Sequence, residues 1–518
     1  MTRIQLLIRK NLILYLTLGV FVTLLMAAAQ GMESRDFVIT LLRGLAVGSL
    51  TFLVASGFSL ILGLLHVLNL AHGTLFMLGA YIGWTAYVRP DTFVDLLTPL
   101  ALIMSAFFLG DIWAFVANHN LLTGRLRRFL AWTGIVASIL ILANILPRYP
   151  ITTWSVDDYS LSPVAIAYSA GQGQNVIPPA LPFTDISPWL AVVGLLLASL
   201  LGAFGLSLLG TPAAAVPRLT WRSFVGFGTA VLLGLLILLF NDSLTNFLAG
   251  LNSNWMFLLA IIVAVASGAL LGTVMEVTVI RPLYVRPLYQ IMLTLGLSVV
   301  GLELVHIIWG RPEFTMPRPA LFAGTGPGCP ATTFADWWQY NCSTILIMGG
   351  RVRTYNEIFI PLVGLVVLLA VWILLKRSRL GMIIRAGVQD REMVEALGIN
   401  VQRVFTQVFA LGVGLAALGG VLAAPSIGLS NHMGESFLLN ALIALAIGGL
   451  TSYPGAALGS VLVGLTQQFI IRYGQIGIPI PFTEIVFKPT PPIVPASTIL
   501  LMVIILLLMP NGLLGKKD

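Results

Sequence analysis

A short polar turn interrupts two long apolar runs near residue 70. Asn69, His72 and Gly73 are its polar and flexible members. The amide and the imidazole both donate and accept hydrogen bonds, so they could hold a polar solute. Within a membrane such a turn is costly unless it lines a cavity or packs against protein. The same residues could instead cap two tightly joined helices, and their spacing leaves both interpretations open.

A second break lies between two apolar runs near residue 453. Ser452, Pro454 and Gly455 form it. Proline and glycine interrupt a helix, and a broken helix at membrane depth can line a transport path. Gly455 and Gly459 also have the spacing that lets helices pack closely. A plain packing kink therefore stays open beside the transport interpretation.

Residues 376–403, named here the basic loop, are rich in Lys and Arg, and the middle of this loop has a helical pattern. Met393 and Leu397 fall four positions apart on one side of a helix predicted over residues 390–397. Gly398 is typical of the residue that ends a helix. Such a helix could be only a solvated face, but apolar residues beside charges are also typical of a docking helix.

Cys329 and Cys342 share one polar stretch, residues 310–357. We expect a disulfide bond between them if this loop faces an oxidising compartment. Two unpaired thiols are the alternative.

The sequence lacks the motifs of the common enzyme and metal sites. It contains no G-x-x-x-x-G-K-[ST] phosphate loop, no H-E-x-x-H, no C-x-x-C and no G-x-S-x-G. Its five histidines are scattered, and the nearest pair, His66 and His72, lacks the spacing of neighbours on a helix. We therefore predict no catalytic residue, no metal site and no cofactor held by this chain.

Three acids lie within apolar segments: Asp111, Glu276 and Glu303. Acids inside a membrane are functional candidates by default. All three lie close to the ends of their segments, where side chains can also snorkel to the interface or bond locally. The lack of a pair at the midplane argues against transport coupled to protons or sodium.

The composition indicates the class of protein in which these residues occur. Of 518 residues, 58% are hydrophobic and only 9% are charged, and the mean hydropathy is +0.96. Soluble domains carry about 25% charged residues, so a soluble enzyme is excluded. A disordered chain is excluded because the apolar content is high and the net charge per residue is low. Long continuous apolar runs predict an all-α polytopic membrane protein. The net charge of +8 is then a matter of membrane orientation and does not indicate nucleic-acid binding.

About fourteen apolar segments can be delimited. They are residues 12–30, 37–62, 74–88, 97–117, 129–146, 188–209, 224–240, 255–280, 291–309, 358–375, 404–424, 438–450, 456–471 and 497–514. The segment 438–450 is too short to cross a bilayer alone, which suggests half of a broken or re-entrant pair.

Charge placement gives the expected orientation. With the N-terminus inside, the loops assigned to the inside hold 18 of the 28 basic residues and only four acids. This agrees with the positive-inside rule. Residues 1–36 form either a retained anchor or a signal segment removed after a small-residue site.

Several ordered motifs indicate a known family. They are Asn69-Leu70-Ala71-His72-Gly73 with Gly79-Ala80-Tyr81; Glu276 with Arg281-Pro282-Leu283; Arg385-Ala386, Asp390 and Leu397-Gly398-Ile399-Asn400; Pro454-Gly455-Ala456; and residues 510–515. With them the chain resembles the permease subunits of bacterial branched-chain amino acid ABC importers, and more closely the first of their two paired permeases. The resemblance divides the chain into core regions 37–88 and 255–518. Residues 89–254 are an inserted membrane region with four predicted spans.

The resemblance implies an importer with two homologous permeases, identical or different, in the bacterial cytoplasmic (inner) membrane. Its other parts would be two cytoplasmic ATPase subunits, which bind the ATP, and an extracytoplasmic solute-binding protein. The ATPase-coupling element would lie in the basic loop, at Arg385, Ala386, Asp390, Glu395, Leu397, Gly398, Ile399 and Asn400. Candidates for the translocation path are Asn69, His72, Gly73, Ser452, Pro454 and Gly455. Import of urea or short amides and a stand-alone secondary carrier are the alternatives.

Overall fold

The computed structural model describes residues 32–117, 124–151, 183, 185–209, 221–284, 286–310, 313–479 and 486–515, together with residues 19, 22 and 23. Most of the predicted anchor or signal segment and most of the loop over residues 147–187 lie outside this part of the chain.

The fold is all-α and polytopic, as predicted. In chain order the helices are α1 Ser34–Leu65, α2 His72–Val88, α3 Pro90–Ser105, α4 Gly110–Ala117, α5 Gly124–Ile145, α6 Pro188–Leu209, α7 Trp221–Leu239, α8 Asn241–Ala249, α9 Ser253–Met275, α10 Pro287–Trp309, α11 Phe334–Tyr340, α12 Ile360–Arg377, α13 Arg379–Gln389, α14 Arg391–Ala396, α15 Val401–Ile427, α16 Met433–Gly448, α17 Tyr453–Ile476 and α18 Ile493–Leu508. The strands are β1 Thr344–Ile347, β2 Gly350–Arg353, β3 Ile478–Pro479 and β4 Val486–Phe487, paired as two small antiparallel hairpins.

Ten helical stretches of the described residues are long and apolar enough to cross a membrane, and α16 and α18 are shorter apolar helices. The count of fourteen segments is therefore not confirmed. The helices fall into two compact units, one comprising residues up to Trp84 and from Asn252 onward, the other Thr85–Leu251.

In the first unit, α1 and α15 form the centre. Their most apolar windows are 78% and 83% buried, against 17% for α10 and 22% for the stretch that contains α12. A helix that is apolar on every side is stable only when it is enclosed by protein or by lipid. Protein therefore encloses α1 and α15, whereas α10 and α12 expose apolar surface suited to lipid.

The second unit packs α3, α5, α6 and α7 around Leu102, Ile145 and Leu195. Polar side chains tie its helices together. Ser138 donates to the Ala198 carbonyl oxygen at 2.7 Å, and the Asn241 amide donates to Asp95 at 2.8 Å. Such bonds satisfy polar groups that the bilayer could not.

Residues 310–353, named here the disulfide loop, connect α10 to the turn before α12. Cys329 and Cys342 are joined by a disulfide bond, with their Cα atoms 5.5 Å apart. Thr333 and Asp336 form a capping box at the start of α11. Hydrogen bonds from Thr332 and Thr333 lower the pKa of the Asp336 carboxyl, because they favour its charged form.

Candidate functional site

The polar turn predicted near residue 70 is buried inside the first unit. The side chains of Asn69 and His72 are 1% and 0% exposed. The Asn69 amide oxygen accepts a hydrogen bond from the Ala71 backbone N–H at 3.1 Å, and the His72 N–H donates to the Asn69 carbonyl oxygen. Asn69 thus orders the turn that starts α2, which agrees with the capping interpretation.

The turn lies well inside the bundle rather than at its end. His72 Nε2 donates to the Val54 carbonyl oxygen at 3.2 Å, and its ring contacts Phe58 edge-on. Val54 is about three turns before the end of α1. The Leu70 N–H also donates to Thr294, in the second turn of α10. Among the described residues, His72 Nδ1 and Asn69 Nδ2 have no hydrogen-bond partner.

Two short helices meet at this depth with their N-terminal turns. A methyl group added at Gly73, in the first turn of α2, would collide with the carbonyl oxygen of Gly434, in the first turn of α16. The two helices have 17 and 16 residues, fewer than the roughly 20 that a bilayer requires. Each N-terminus carries a partial positive charge, so the contact places two positive helix ends together.

A small cavity adjoins this contact. It is lined by Thr74, Met77, Ser298, Val299, Leu302, Asn431, Gly434 and Glu435. The hydroxyls of Thr74 and Ser298 are 2.6 Å apart, and the Tyr81 hydroxyl donates to the Asn431 side chain at 3.1 Å. The lining of the cavity therefore includes hydroxyl, amide and carboxylate groups.

The first turn of α16 presents an exposed polar face next to the cavity. Glu435 and Ser436 are exposed, and no other described residue forms a hydrogen bond or ion pair with the Glu435 side chain. Ser298, which also lines the cavity, is the middle residue of α10, so Glu435 lies near the midplane of the apolar helices. A carboxylate at this depth cannot face lipid. The face must meet water or another protein.

Sequence reasoning missed Glu435 because the apolar segment was taken to begin at residue 438. The signal was present, since that segment was too short and α16 extends it toward the N-terminus. Glu303 on α10 is exposed too, with His306 3.4 Å away. Asp111 accepts a hydrogen bond from Ser223 at 3.0 Å.

The second predicted group of path residues lies elsewhere along α1. Ser452 caps α17 by accepting from the Gly455 N–H at 3.2 Å, Pro454 is exposed, and Gly455 approaches the Gly448 carbonyl closely. This turn adjoins Gly63, near the end of α1. The two groups are thus separated by roughly 13 Å along that helix, and the structure does not bring them into one site.

The basic loop forms two short helices before α15. Asp390 caps α14 by accepting from the Met393 N–H at 2.9 Å, and Gly398 follows the helix with φ +80°. Asn400 caps α15 by accepting from the Arg403 N–H at 3.0 Å. The remaining predicted coupling residues are exposed or, for Ile399, half-buried: Arg385, Ala386, Glu395, Leu397 and Ile399.

The apolar side chains of α14 and of Leu397, the residue that follows it, face opposite ways. Met393 is 60% and Leu397 is 72% exposed, whereas Val394 is 4% exposed. Val394 therefore anchors the helix to its own unit. Met393 and Leu397 form an apolar surface bordered by charges, which suits a protein partner.

A buried ionic network joins α15 to the π-helical turn Glu276–Ile280 that follows α9. Glu276 has no exposed surface and accepts from Arg281, Thr406 and Tyr284 at 2.7, 2.8 and 2.9 Å. Phe405 packs against the Tyr284 ring and lies close to Gly387 of α13. The network thus supports the helix that follows the basic loop.

Sequence reasoning also missed an ion pair that Arg43, within the predicted segment 37–62, forms with the distant Glu357. Arg43 Nε donates to Glu357 at 3.0 Å, and Glu357 also accepts from the Arg353 backbone N–H at 2.7 Å. An arginine inside an apolar segment was the available signal. In the described parts of the chain, no group of three or more His, Cys, Asp or Glu residues could hold a metal ion.

Comparison with known proteins gives the family. The profile described as "Branched-chain amino acid transport system / permease component" matches residues 40–193 and 190–510. No solved structure matches the chain.

Individual relatives agree with the profile. The permease LivH of a high-affinity branched-chain amino acid transport system from Salmonella typhimurium is 25% identical over 52% of this chain and 78% of its own length. The permease BraD of such a system from Pseudomonas aeruginosa is 32% identical over 33% of this chain and 51% of its own length. The galactose/methyl galactoside import permease MglC from Haemophilus influenzae is 28% identical over 28% of this chain and 43% of its own length. The chain belongs to the permease component family of branched-chain amino acid transport systems.

Proposed function

We propose that this chain is the transmembrane permease subunit of an ABC importer for branched-chain or similar amino acids. It forms half of the translocation path in the bacterial cytoplasmic membrane. A second homologous permease supplies the other half. Two cytoplasmic ATPases bind and hydrolyse ATP, and an extracytoplasmic binding protein delivers the solute.

The observation that carries the path is the exposed carboxylate of Glu435 near the midplane. It lies beside a cavity lined by Thr74, Ser298 and Asn431. Such a face is unstable against lipid but stable against a water-filled path closed by a second subunit. A carboxylate there also attracts the ammonium group of an amino acid.

The basic loop supports the docking of a separate ATPase. Met393 and Leu397 are exposed beside Arg385 and Asp390, while Val394 fixes their helix to the bundle. The sequence of this chain contains no phosphate-binding loop, so ATP would be bound by separate subunits. Movement of the ATPases would be transmitted through α14 to α15.

The relatives favour an amino acid as the solute. LivH and BraD are named for branched-chain amino acids, and LivH matches over the longer part of this chain. The galactose permease matches over a shorter part.

The test is uptake by the reconstituted complex. The chain, a paired permease and both ATPases are assembled in proteoliposomes with the binding protein and labelled leucine. We expect uptake that requires ATP, and Glu435→Gln should lower it about tenfold, because the carboxylate no longer attracts the ammonium group.

Glu33→Gln is the matched control. Glu33 is exposed, directly precedes α1 and pairs at 3.5 Å with Arg35 in the first turn of that helix, and exposed pairs contribute little. It should leave uptake unchanged. Leucine uptake by the chain alone, without ATPases, would show a stand-alone carrier and contradict the proposal.

A further inference from the structure

A second cavity, of about 540 Å³, lies between the C-terminal end of α15 and the disulfide loop. Its lining residues are Thr315, Met316, Arg318, Phe322, Ala323, Thr325, Ser343, Ala424, Pro425, Ser426, Ile427 and Gly428. All of them belong to the first unit. The cavity lies far along α15 from the basic loop, so it is distinct from the coupling surface. It also shares no lining residue with the small cavity beside Glu435, named here the midplane cavity.

Arg318 is the one charged residue in the lining of this described cavity. Its side chain is half-buried and makes no hydrogen bond or ion pair of short range with any other described residue. Burial and the neighbouring Arg353 cation lower the pKa of the Arg318 guanidinium. An anion bound in the cavity would relieve both effects.

The nearby acid does not neutralise Arg318. The two carboxylate oxygens of Glu357 are used by Arg43 Nε at 3.0 Å and by the Arg353 N–H at 2.7 Å. The electrostatic attraction of Glu357 and Tyr355 for the Arg318 guanidinium is smaller than the opposing effects of burial and of Arg353, which together lower its pKa. A guanidinium with free donors binds a carboxylate through two parallel hydrogen bonds.

The rest of the lining matches the other parts of a small amino acid. Met316, Phe322 and Ile427 supply apolar surface. The C-terminal end of α15 contributes Ala424 to Gly428, and the last carbonyl groups of a helix carry partial negative charge that favours a cation. The cation, the apolar side chains and the negative helix end thus line one open cavity, whose volume lies in the range of small-molecule sites.

We infer that this cavity binds an α-amino acid with an apolar side chain, its carboxylate on Arg318 and its ammonium group at the end of α15. The inference rests on the proposed function, because it places an entry site for the solute before the midplane cavity. A carboxylate could also come from an acidic side chain of a docking protein, so the test uses free ligands and the chain alone.

The experiment is equilibrium binding of labelled leucine to the purified full chain in lipid nanodiscs. Leucinamide, which lacks the carboxylate, is the second ligand. We expect Arg318→Gln to weaken leucine binding at least tenfold and to leave the weak binding of leucinamide unchanged. Arg351→Gln is the matched control, since Arg351 is an exposed arginine of the same loop, and it should bind leucine as the wild type does.

A second variant keeps the arginine. Ile427 is 56% exposed at the cavity, so Ile427→Trp should fill the space without disturbing the core and should also weaken leucine binding. Equal leucine binding by wild type and Arg318→Gln, or no binding by the wild-type chain, would overturn the site. If complexes with Arg318→Gln take up leucine in the presence of ATP with an unchanged KM, the site is wrong but the proposed function stands. If wild-type complexes show no ATP-dependent uptake, the proposed function itself is contradicted.

Discussion

The guanidinium of Arg281 lies 2.7 Å from the carboxylate of Glu276, a side chain with no exposed surface. Removing one partner of a buried ion pair leaves the other charge uncompensated and costs about 3–5 kcal/mol. Arg281→Gln should therefore lower the apparent unfolding temperature of the detergent-solubilised chain. Arg286→Gln is the control, because Arg286 is exposed and its guanidinium lies over the Tyr289 ring rather than beside a buried carboxylate. Equal unfolding temperatures for the two variants would show that the network does not stabilise the fold.

Substitutions at Met393 and at Val394 distinguish a role in docking the ATPases from a role in folding. Met393→Ser with Leu397→Ser should reduce co-purification of the ATPase subunits while leaving the unfolding temperature nearly unchanged, because both side chains are mostly exposed. Val394→Ser should lower the unfolding temperature, since Val394 is buried and loses about 1–3 kcal/mol of apolar burial. Normal ATPase recovery with the double variant would remove α14 from the docking surface.

The contact between α2 and α16 depends on the absence of a side chain at Gly73. In Gly73→Ala the new methyl group meets the Gly434 carbonyl oxygen, which is backbone and cannot move aside, so we expect weaker folding and less uptake. Gly296→Ala is the matched change in α10, where nothing lies within 4 Å of an added methyl group. It should be neutral or stabilise by about 0.5 kcal/mol. Thermal unfolding and leucine uptake of both variants decide the matter.

The Cys329–Cys342 bond closes a loop with a sequence separation of 13 residues. In the chain-entropy model a loop of this size contributes roughly 3 kcal/mol. Replacing both cysteines by serine should make the disulfide loop more sensitive to limited proteolysis, while the apolar helices stay protected. Mass spectrometry of peptides prepared without reductant should find the linked pair; two alkylated thiols in that sample would refute the bond.

Local patterns predicted the parts of the site that depend on neighbouring residues. The helix predicted over residues 390–397 is present as α14, capped by Asp390 and followed by Gly398 with positive φ. Capping and helix ends are set within a few residues, so the sequence was sufficient.

Contacts between distant residues could not be predicted in this way. Gly73 and Gly434 are far apart in sequence, and only the packing of α2 on α16 shows that they touch. Arg43 and Glu357 form a pair for the same reason. The depth of Glu435 depends on its place beside Ser298, which a hydropathy pattern with an uncertain helix start does not give.

Water access at the midplane tests the central claim most directly. Both native cysteines are in the disulfide bond, so a Ser436→Cys variant carries a single reactive thiol, and so does a Leu365→Cys control on the exposed apolar surface of α12. The assembled complex is treated with a charged, membrane-impermeant thiol reagent during ATP turnover. If the face of α16 lines the path, the Ser436→Cys variant reacts, leucine slows the reaction, and the Leu365→Cys variant stays unlabelled. Equal lack of reaction at both positions would contradict the account.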